Sequence, residues 1–281
     1  MSPRVAVVTD STAYLPSDLV ALNHISVVPV SVVIDGVVFD EGVDISATEV
    51  ADALRSRARV TTSRPSPERF LRAYEAAAAD GATEIVSAHL SSDMSGTYDS
   101  AVLASRESAI PVTVLDTRRV GMAMGFAVLD GAARAARGGD RGDVSAAIVD
   151  RCAVSSVLFY VDTLDYLRRG GRIGAAQAVV GQALAVKPIL ELSEGRVVPL
   201  EKVRTSSKAL ARLTELAIAR AAGRRCDVTV QHLDADEHAC TLAALLSAGM
   251  VGANITVSEV GAVVGAHVGP GMVAVGISPV L

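Results

Sequence analysis

The sequence predicts an α/β fold of two domains. Three observations carry that expectation. Short β-branched runs alternate with Ala-rich stretches, the pattern of parallel strands joined by helical crossovers. The chain has 281 residues, long for one core and comfortable for two. Hydrophobic residues make up 50% of it but aromatics only 3%, with no Trp, so the core must be Ala, Val, Leu and Ile. Such a core suits helices packed on a buried sheet.

Taken in order, the strand candidates are Val5–Thr9, Ile25–Ile34, Glu84–Ala88, Val112–Leu115, Val157–Val161, Lys187–Leu192, Arg196–Val203, Val228–Leu233, Ile255–Val260 and Met272–Ile277. Helices are expected between most of them, among them Ala47–Arg57, Pro67–Ala79, Thr97–Ser105, Ser206–Ala222 and Glu237–Ser247. One link breaks the βα rule. The Gly turn at Ser193-Glu194-Gly195 joins two strands directly and reads as an antiparallel hairpin. Arg134–Gly142 is the most loop-like segment near mid-chain. These elements divide into an N-terminal parallel-sheet domain over residues 1–155 and a smaller C-terminal α/β domain, holding the hairpin, over 156–281. More than one crossing of the chain between the two is compatible with this pattern.

The formal net charge is −5 and the arginine clusters are short, so no nucleic-acid footprint is present. Cys152, Cys226 and Cys240 are odd in number and form no CxxC pair. They argue against a disulfide framework or a zinc site and read as small buried side chains. The chain runs from Met1-Ser2-Pro3-Arg4 straight into a strand, with no signal-peptide pattern and no membrane-span window, so a cytoplasmic location is expected.

In open α/β sheets ligands bind at the carboxyl ends of strands. The turns there are crowded with hydroxyls: Thr9-Asp10-Ser11-Thr12, then Thr61-Thr62-Ser63-Arg64-Pro65-Ser66-Pro67, then His89 to Thr97, then Asp116-Thr117-Arg118. In the third, Gly96 permits close backbone approach, Ser95 adds a hydroxyl, and Thr97 opens a helix whose first N–H groups favour an anion. Each turn alone reads as an ordinary helix cap. Ser66-Pro67 reads as a cap with Pro at the first helical position, and Asp10 and Asp116 as acceptors of nearby backbone N–H groups.

Near the C-terminus three glycines and a proline surround one histidine in Gly265-Ala266-His267-Val268-Gly269-Pro270-Gly271. Arg168, Arg169 and Arg172 fall within five positions, either a solvated face or an anion or partner surface. His232, Asp234, Asp236, Glu237 and His238 match no metal-ligand spacing. The P-loop, dinucleotide, zincin and nucleophile-elbow patterns are missing. A hydrolase or acyltransferase using Ser95 with His267 stays open as an alternative, as does a lipid-sensing regulator.

Together these segments resemble the DegV family of fatty-acid-binding proteins. The matching motifs are Val8-Thr9-Asp10-Ser11-Thr12, Thr62 to Pro67, Leu90 to Thr97, Leu167-Arg168-Arg169-Gly170-Gly171-Arg172-Ile173, Lys187-Pro188-Ile189-Leu190 and Gly265 to Gly271. The resemblance implies a two-domain carrier without catalysis or cofactor. It would bind one fatty acid of C14–C18 length in an apolar tunnel and present the carboxylate to a fatty acid kinase. Thr62 and Ser95 are implied as the main carboxylate donors, with Ser63, Gly96, Thr97 and His267 in support and Arg168, Arg169 and Arg172 at the docking surface. Arg64 departs from the family's frequent Gln, and Gly121 and Ala123 from its Ser and Gly.

Burying about 15 carbons at ~0.8 kcal/mol each gives an upper bound near ~12 kcal/mol. A hydrogen bond to a charged group nets about 1.5–3 kcal/mol. The tail therefore supplies most of the affinity and the hydroxyls supply orientation. No basic residue is expected at Thr62 or Ser95, which would leave the carboxylate nucleophilic.

Overall fold

A computed structural model describes residues 4–175 and 186–281. Backbone contacts divide the chain into two units. The first comprises Met1–Ser31 and Ser63–Ala153, the second Val32–Thr62 and Val154–Leu281. The segment from Val32 to Thr62, placed by sequence in the N-terminal domain, thus joins the C-terminal elements. The second unit is accordingly the larger one.

The first unit is a parallel sheet covered on both faces. Its strands are β1 (Val5–Asp10), β2 (Ser26–Val28), β6 (Glu84–His89) and β7 (Val112–Asp116), in the order β2-β1-β6-β7. Every pairing in it is parallel. Side chains alternate across such a sheet with period two. Val8 and Ile85 therefore pack with Phe70 and Tyr74 of α3 (Pro67–Ala79) and Ala101 of α4 (Thr97–Ser105). Val7 and Val86 point the other way, onto Met124, Ala127 and Val128 of α5 (Met122–Ala136) and Ile148 of α6 (Arg141–Val154). The loop expected at Arg134–Gly142 is shorter than its composition suggests, because α5 runs through Ala136 and α6 opens at Arg141.

The expected strand Ile25–Ile34 divides at Pro29, which has no N–H to donate to a ladder. Its first part is β2. Its second, β3 (Ser31–Ile34), enters a three-stranded sheet of order β4-β3-β5 with β4 (Val37–Asp40) and β5 (Val60–Ser63). The other sheet of the second unit has the order β10-β9-β8-β13-β11-β12. These strands are β8 (Ser156–Tyr160), β9 (Lys187–Ser193), β10 (Arg196–Val203), β11 (Cys226–Leu233), β12 (Asn254–Glu259) and β13 (Met272–Pro279). Only the β11–β12 pair is parallel; the rest, the hairpin β9–β10 included, are antiparallel. The sheet is mixed because β13 returns between β8 and β11 and pairs antiparallel with both. Leu158, Ile189, Val230 and Val275 pack on Leu210 and Leu213 of α8 (Ser206–Ala221) and Leu242 and Leu246 of α9 (Asp236–Gly249).

Cys152 and Cys226 are buried as expected; Cys240, on the outward side of α9, is exposed. Burial pushes the Cys152 thiol up to about 12. Among the described residues no helix is long and apolar enough to cross a membrane.

The first unit also buries a polar line. The Asp10 carboxylate meets His89 Nδ1 at 3.1 Å, His89 Nε2 meets Ser87 Oγ at 2.7 Å, and the Tyr74 hydroxyl donates to Ser87 Oγ at 2.9 Å. All four side chains are fully buried. Ser87 and His89 sit two apart on one face of β6, where Phe70 contacts the imidazole edge-on at 4.8 Å between centroids. Removing one member leaves buried partners unsatisfied. We expect Ser87→Ala to cost about 1–3 kcal/mol in urea unfolding. A change within about 0.5 kcal/mol, the range of ordinary surface substitutions, would show that the line does not hold the sheet together.

Candidate functional site

The hydroxyl-rich turns follow strand ends as anticipated, and in the first unit their scaffold is set by Asp10. One carboxylate oxygen accepts from Thr12 N at 3.1 Å and Thr12 Oγ1 at 2.5 Å. The other accepts from Leu90 N at 3.0 Å. Asp116 acts similarly on the next turn, accepting from Ser92 N at 3.2 Å, Ser92 Oγ at 2.5 Å and Arg118 N at 2.9 Å. Both acids serve the backbone, as their positions implied. Between them the loop from Leu90 to Gly96 is tied at both edges, with Ser95 N and Met94 N donating back to Ser91 O.

This loop delivers Ser95, Gly96 and Thr97 to the start of α4. Gly96 is the N-cap residue and makes no side-chain cap. Ser95 supplies one instead: its Oγ accepts from Thr97 N at 3.3 Å and lies 2.9 Å from Thr97 Oγ1. Thr97 is buried, while Ser95 and Gly96 are half-buried. The cap reading and the anion-site reading are therefore compatible, because an Oγ that accepts from an N–H keeps its own proton to donate.

Arg64 stands where the family often has Gln. Its side chain lies across Gly96, with Nη1 donating to Gly96 O at 3.5 Å. A Cβ added to Gly96 would come within 2.4 Å of that Nη1 and 2.8 Å of Arg64 Cδ, so glycine provides the seat. A basic group thus does sit at the Ser95 loop, which corrects the reading that none is present there. Ser63 is exposed and its Oγ donates to Arg64 O at 3.4 Å. Ser66 precedes Pro67 at the head of α3 without making a side-chain cap.

In the second unit Thr62 and His267 meet across 205 residues of sequence, Oγ1 to Nε2 at 2.8 Å. His267 lies in the last turn of α10 (Ala262–Val268). A carboxylate starts that helix, since buried Glu41 accepts from Val263 N at 2.7 Å. Gly269 and Gly271, at φ 74° and 87°, turn the chain away directly after it. Gly170 permits the imidazole its position: a Cβ there would lie 2.1 Å from His267 Nδ1. Sequence reasoning missed Glu41 and Gly170, and no local pattern around either signals the contact.

The electrostatics fix the state of His267. Burial, then the nearby positive charge of Arg172, lowers its pKa to about 4, so the ring is neutral near pH 7. Nδ1 is buried and has no partner among the described residues. A buried orphan N–H is rarer and costlier than an unpaired acceptor. A proton on Nε2 would be donated to Thr62 Oγ1 and would leave Thr62 its own O–H to give to an anion.

The arginine segment begins as α7 (Asp165–Arg169). Arg168 is exposed and bonds Asp165 Oδ1 at 3.0 Å; Arg169 is exposed; Arg172 donates to Gly170 O at 2.6 Å. The segment is thus part solvated face and part structural brace. The acid-rich stretch near His232 is occupied by the fold: His232 Nδ1 accepts from Ala235 N, His238 Nδ1 lies 3.0 Å from the Tyr160 hydroxyl, and Asp234 pairs with Arg55.

Comparison with known proteins adds a lineage to this geometry. A family model described as "Uncharacterised protein, DegV family" matches residues 4–280. A DegV domain-containing protein of Streptomyces coelicolor is 53% identical over 279 residues, covering 99% of both chains. The structure of a DegV family protein from Thermus thermophilus, described by its fatty acid binding, superposes with a TM-score of 0.92 at 36% identity, covering 99% of this chain and all of that one. DegV of Bacillus subtilis, described as a fatty acid binding protein, gives 0.91 at 32% identity over 99% and 100%.

Two outcomes test the Thr62–His267 pair. Thr62→Val keeps the side-chain shape but leaves His267 Nε2 without its hydroxyl partner, and should cost about 1–3 kcal/mol in denaturant unfolding. The depressed His267 pKa predicts a second signature. The unfolded state takes up the proton near pH 6.5 and the folded state only near 4. Stability from this residue is thus full above pH 6.5, falls between 6.5 and 4, and is flat below. The slope in that window should shrink in His267→Gln, read from unfolding midpoints against pH.

Proposed function

Because the chain belongs to the DegV family, we propose that it binds one long-chain fatty acid and presents the carboxylate to a separate kinase. The observation that carries this reading is the Thr62–His267 pair, a hydroxyl held 2.8 Å from an imidazole that is neutral near pH 7. Ser95 and the N–H groups opening α4 are donors of the same kind. In this proposal Thr62 and Ser95 are the main head-group donors, and Ser63, Gly96, Thr97 and His267 support them. The description of the Thermus and Bacillus relatives as fatty acid binding favours a fatty acid as the anion. The aliphatic, tryptophan-free composition suits a C14–C18 tail.

Neutral donors suit a carboxylate that must react. The carboxylate oxygen attacks the γ-phosphorus of ATP, the bond to the β-phosphate oxygen breaks, and acyl phosphate and ADP form. This chemistry belongs to the kinase; the carrier's task is to hold the nucleophile in place. Arg168, Arg169 and Arg172 are proposed as the docking surface for that kinase, in the cytoplasm. An esterase reading is disfavoured: Ser95 Oγ is engaged with Thr97 and His267 Nε2 with Thr62. An imidazole with a pKa near 4 is also a weak general base.

Native mass spectrometry of the purified protein should show an added mass in the C14–C18 fatty acid range, and Ser95→Ala should retain less of it. Full lipid retention together with full phosphorylation by the cognate kinase in Ser95→Ala would remove Ser95 from the site. For docking, Arg168→Glu should weaken kinase coupling while lipid content stays unchanged. Loss of lipid in that variant would assign the arginine a structural role instead.

A further inference from the structure

We propose that Arg64 selects the ionised form of the ligand head group, making the Ser95 loop a charge-discriminating site. The inference rests on the fatty-acid reading and deepens it. Hydroxyl and N–H donors alone bind a carboxylate, a protonated acid or an alcohol through similar geometry. The N–H groups opening α4 favour the anion only through partial charge, and a cation at the same loop adds a full charge that separates ionised from neutral head groups.

The placement of Arg64 meets that requirement. The side chain is exposed and lies against Gly96, the residue between Ser95 and the first turn of α4. Its hydrogen bond, Nη1 to Gly96 O at 3.5 Å, is long and uses one of five N–H groups. Among the described residues no carboxylate is recorded within ion-pair distance of it. By contrast Arg118, also near this loop, faces Asp93 at 3.9 Å, and Arg119 donates to Cys152 O at 3.0 Å. Arg64 is thus a cation held in place by a weak bond that an arriving anion can outcompete. A guanidinium offers a carboxylate two parallel N–H groups.

Because the group is exposed, the effect is modest and screened by salt. An exposed pair of this kind changes affinity by about twofold to fivefold. That is enough to bias the site toward the anion without withdrawing its nucleophilicity, as a buried clamp would.

The test is a titration of the full-length protein with sodium palmitate and with 1-hexadecanol, at 20 mM and 500 mM NaCl. Wild type should bind palmitate about twofold to fivefold more weakly at high salt, with hexadecanol affinity unchanged. Arg64→Gln should match high-salt wild type at both salt concentrations, and Arg64→Lys should restore the salt dependence. Gly96→Ala, at φ −75° where alanine is unstrained, should displace the guanidinium and flatten the salt dependence too. An Arg64→Gln protein with the salt dependence and palmitate-to-hexadecanol ratio of wild type overturns the inference while leaving the fatty-acid reading intact. Failure of wild type to bind palmitate at either salt overturns both.

Discussion

The Asp10 carboxylate, buried at the end of β1, organises the first unit around itself. It has no access to water, so each lone pair must find a donor inside the fold. Thr12 takes one oxygen; Leu90 N and His89 take the other. Those contacts fix the turn after β1 and the loop after β6 in a single step. The loop that carries Ser95 is therefore not free to drift relative to the sheet. From His89 the same line runs on to Ser87 and Tyr74, which ties the loop's origin to the helix beneath it. One charge at a strand end thus sets where the hydroxyls of two turns can be.

The second unit solves a related problem with neutral groups. His267 is kept uncharged by burial and by Arg172, and its Nε2 is paired with the Thr62 hydroxyl. The imidazole fixes where the Thr62 hydroxyl sits. A charged residue in its place would bind an anion more tightly and leave it less reactive. The two units therefore offer donors of one chemical kind, held by different means, with Arg64 as the cationic exception.

Much of this was legible in the sequence, and the boundary of legibility is physical. The start of α3 followed from proline at its first helical position and that of α4 from the turn before Thr97, both local features. The hairpin β9–β10 followed from its glycine turn. His267 stood out because glycines crowd around it, but its partner, 205 positions away, left no local trace. Pro29 was in view inside Ile25–Ile34, yet the apolar run outweighed it and hid a change of sheet. The transfer of Val32–Thr62 to the C-terminal elements is purely long-range, and alternation of strands and helices cannot encode it. The same holds for β13, whose position between β8 and β11 decides that the sheet is mixed.

That transfer also gives the protein a schedule. The chain leaves the ribosome from its N-terminus, and Glu41 emerges among the first residues of the second unit. The amide it must serve, at Val263, lies 222 positions later. At roughly 5–20 residues per second, the interval is on the order of ten to forty-five seconds. Over that time β3, β4 and β5 have no completed unit to join, and a carboxylate destined for burial remains in water. The first unit is likewise interrupted, but its last residue is Ala153, so it can close while the remainder is still being made. Maturation is ordered by connectivity: the Ser95 loop can form early, and the Thr62–His267 pair is among the last contacts to be made.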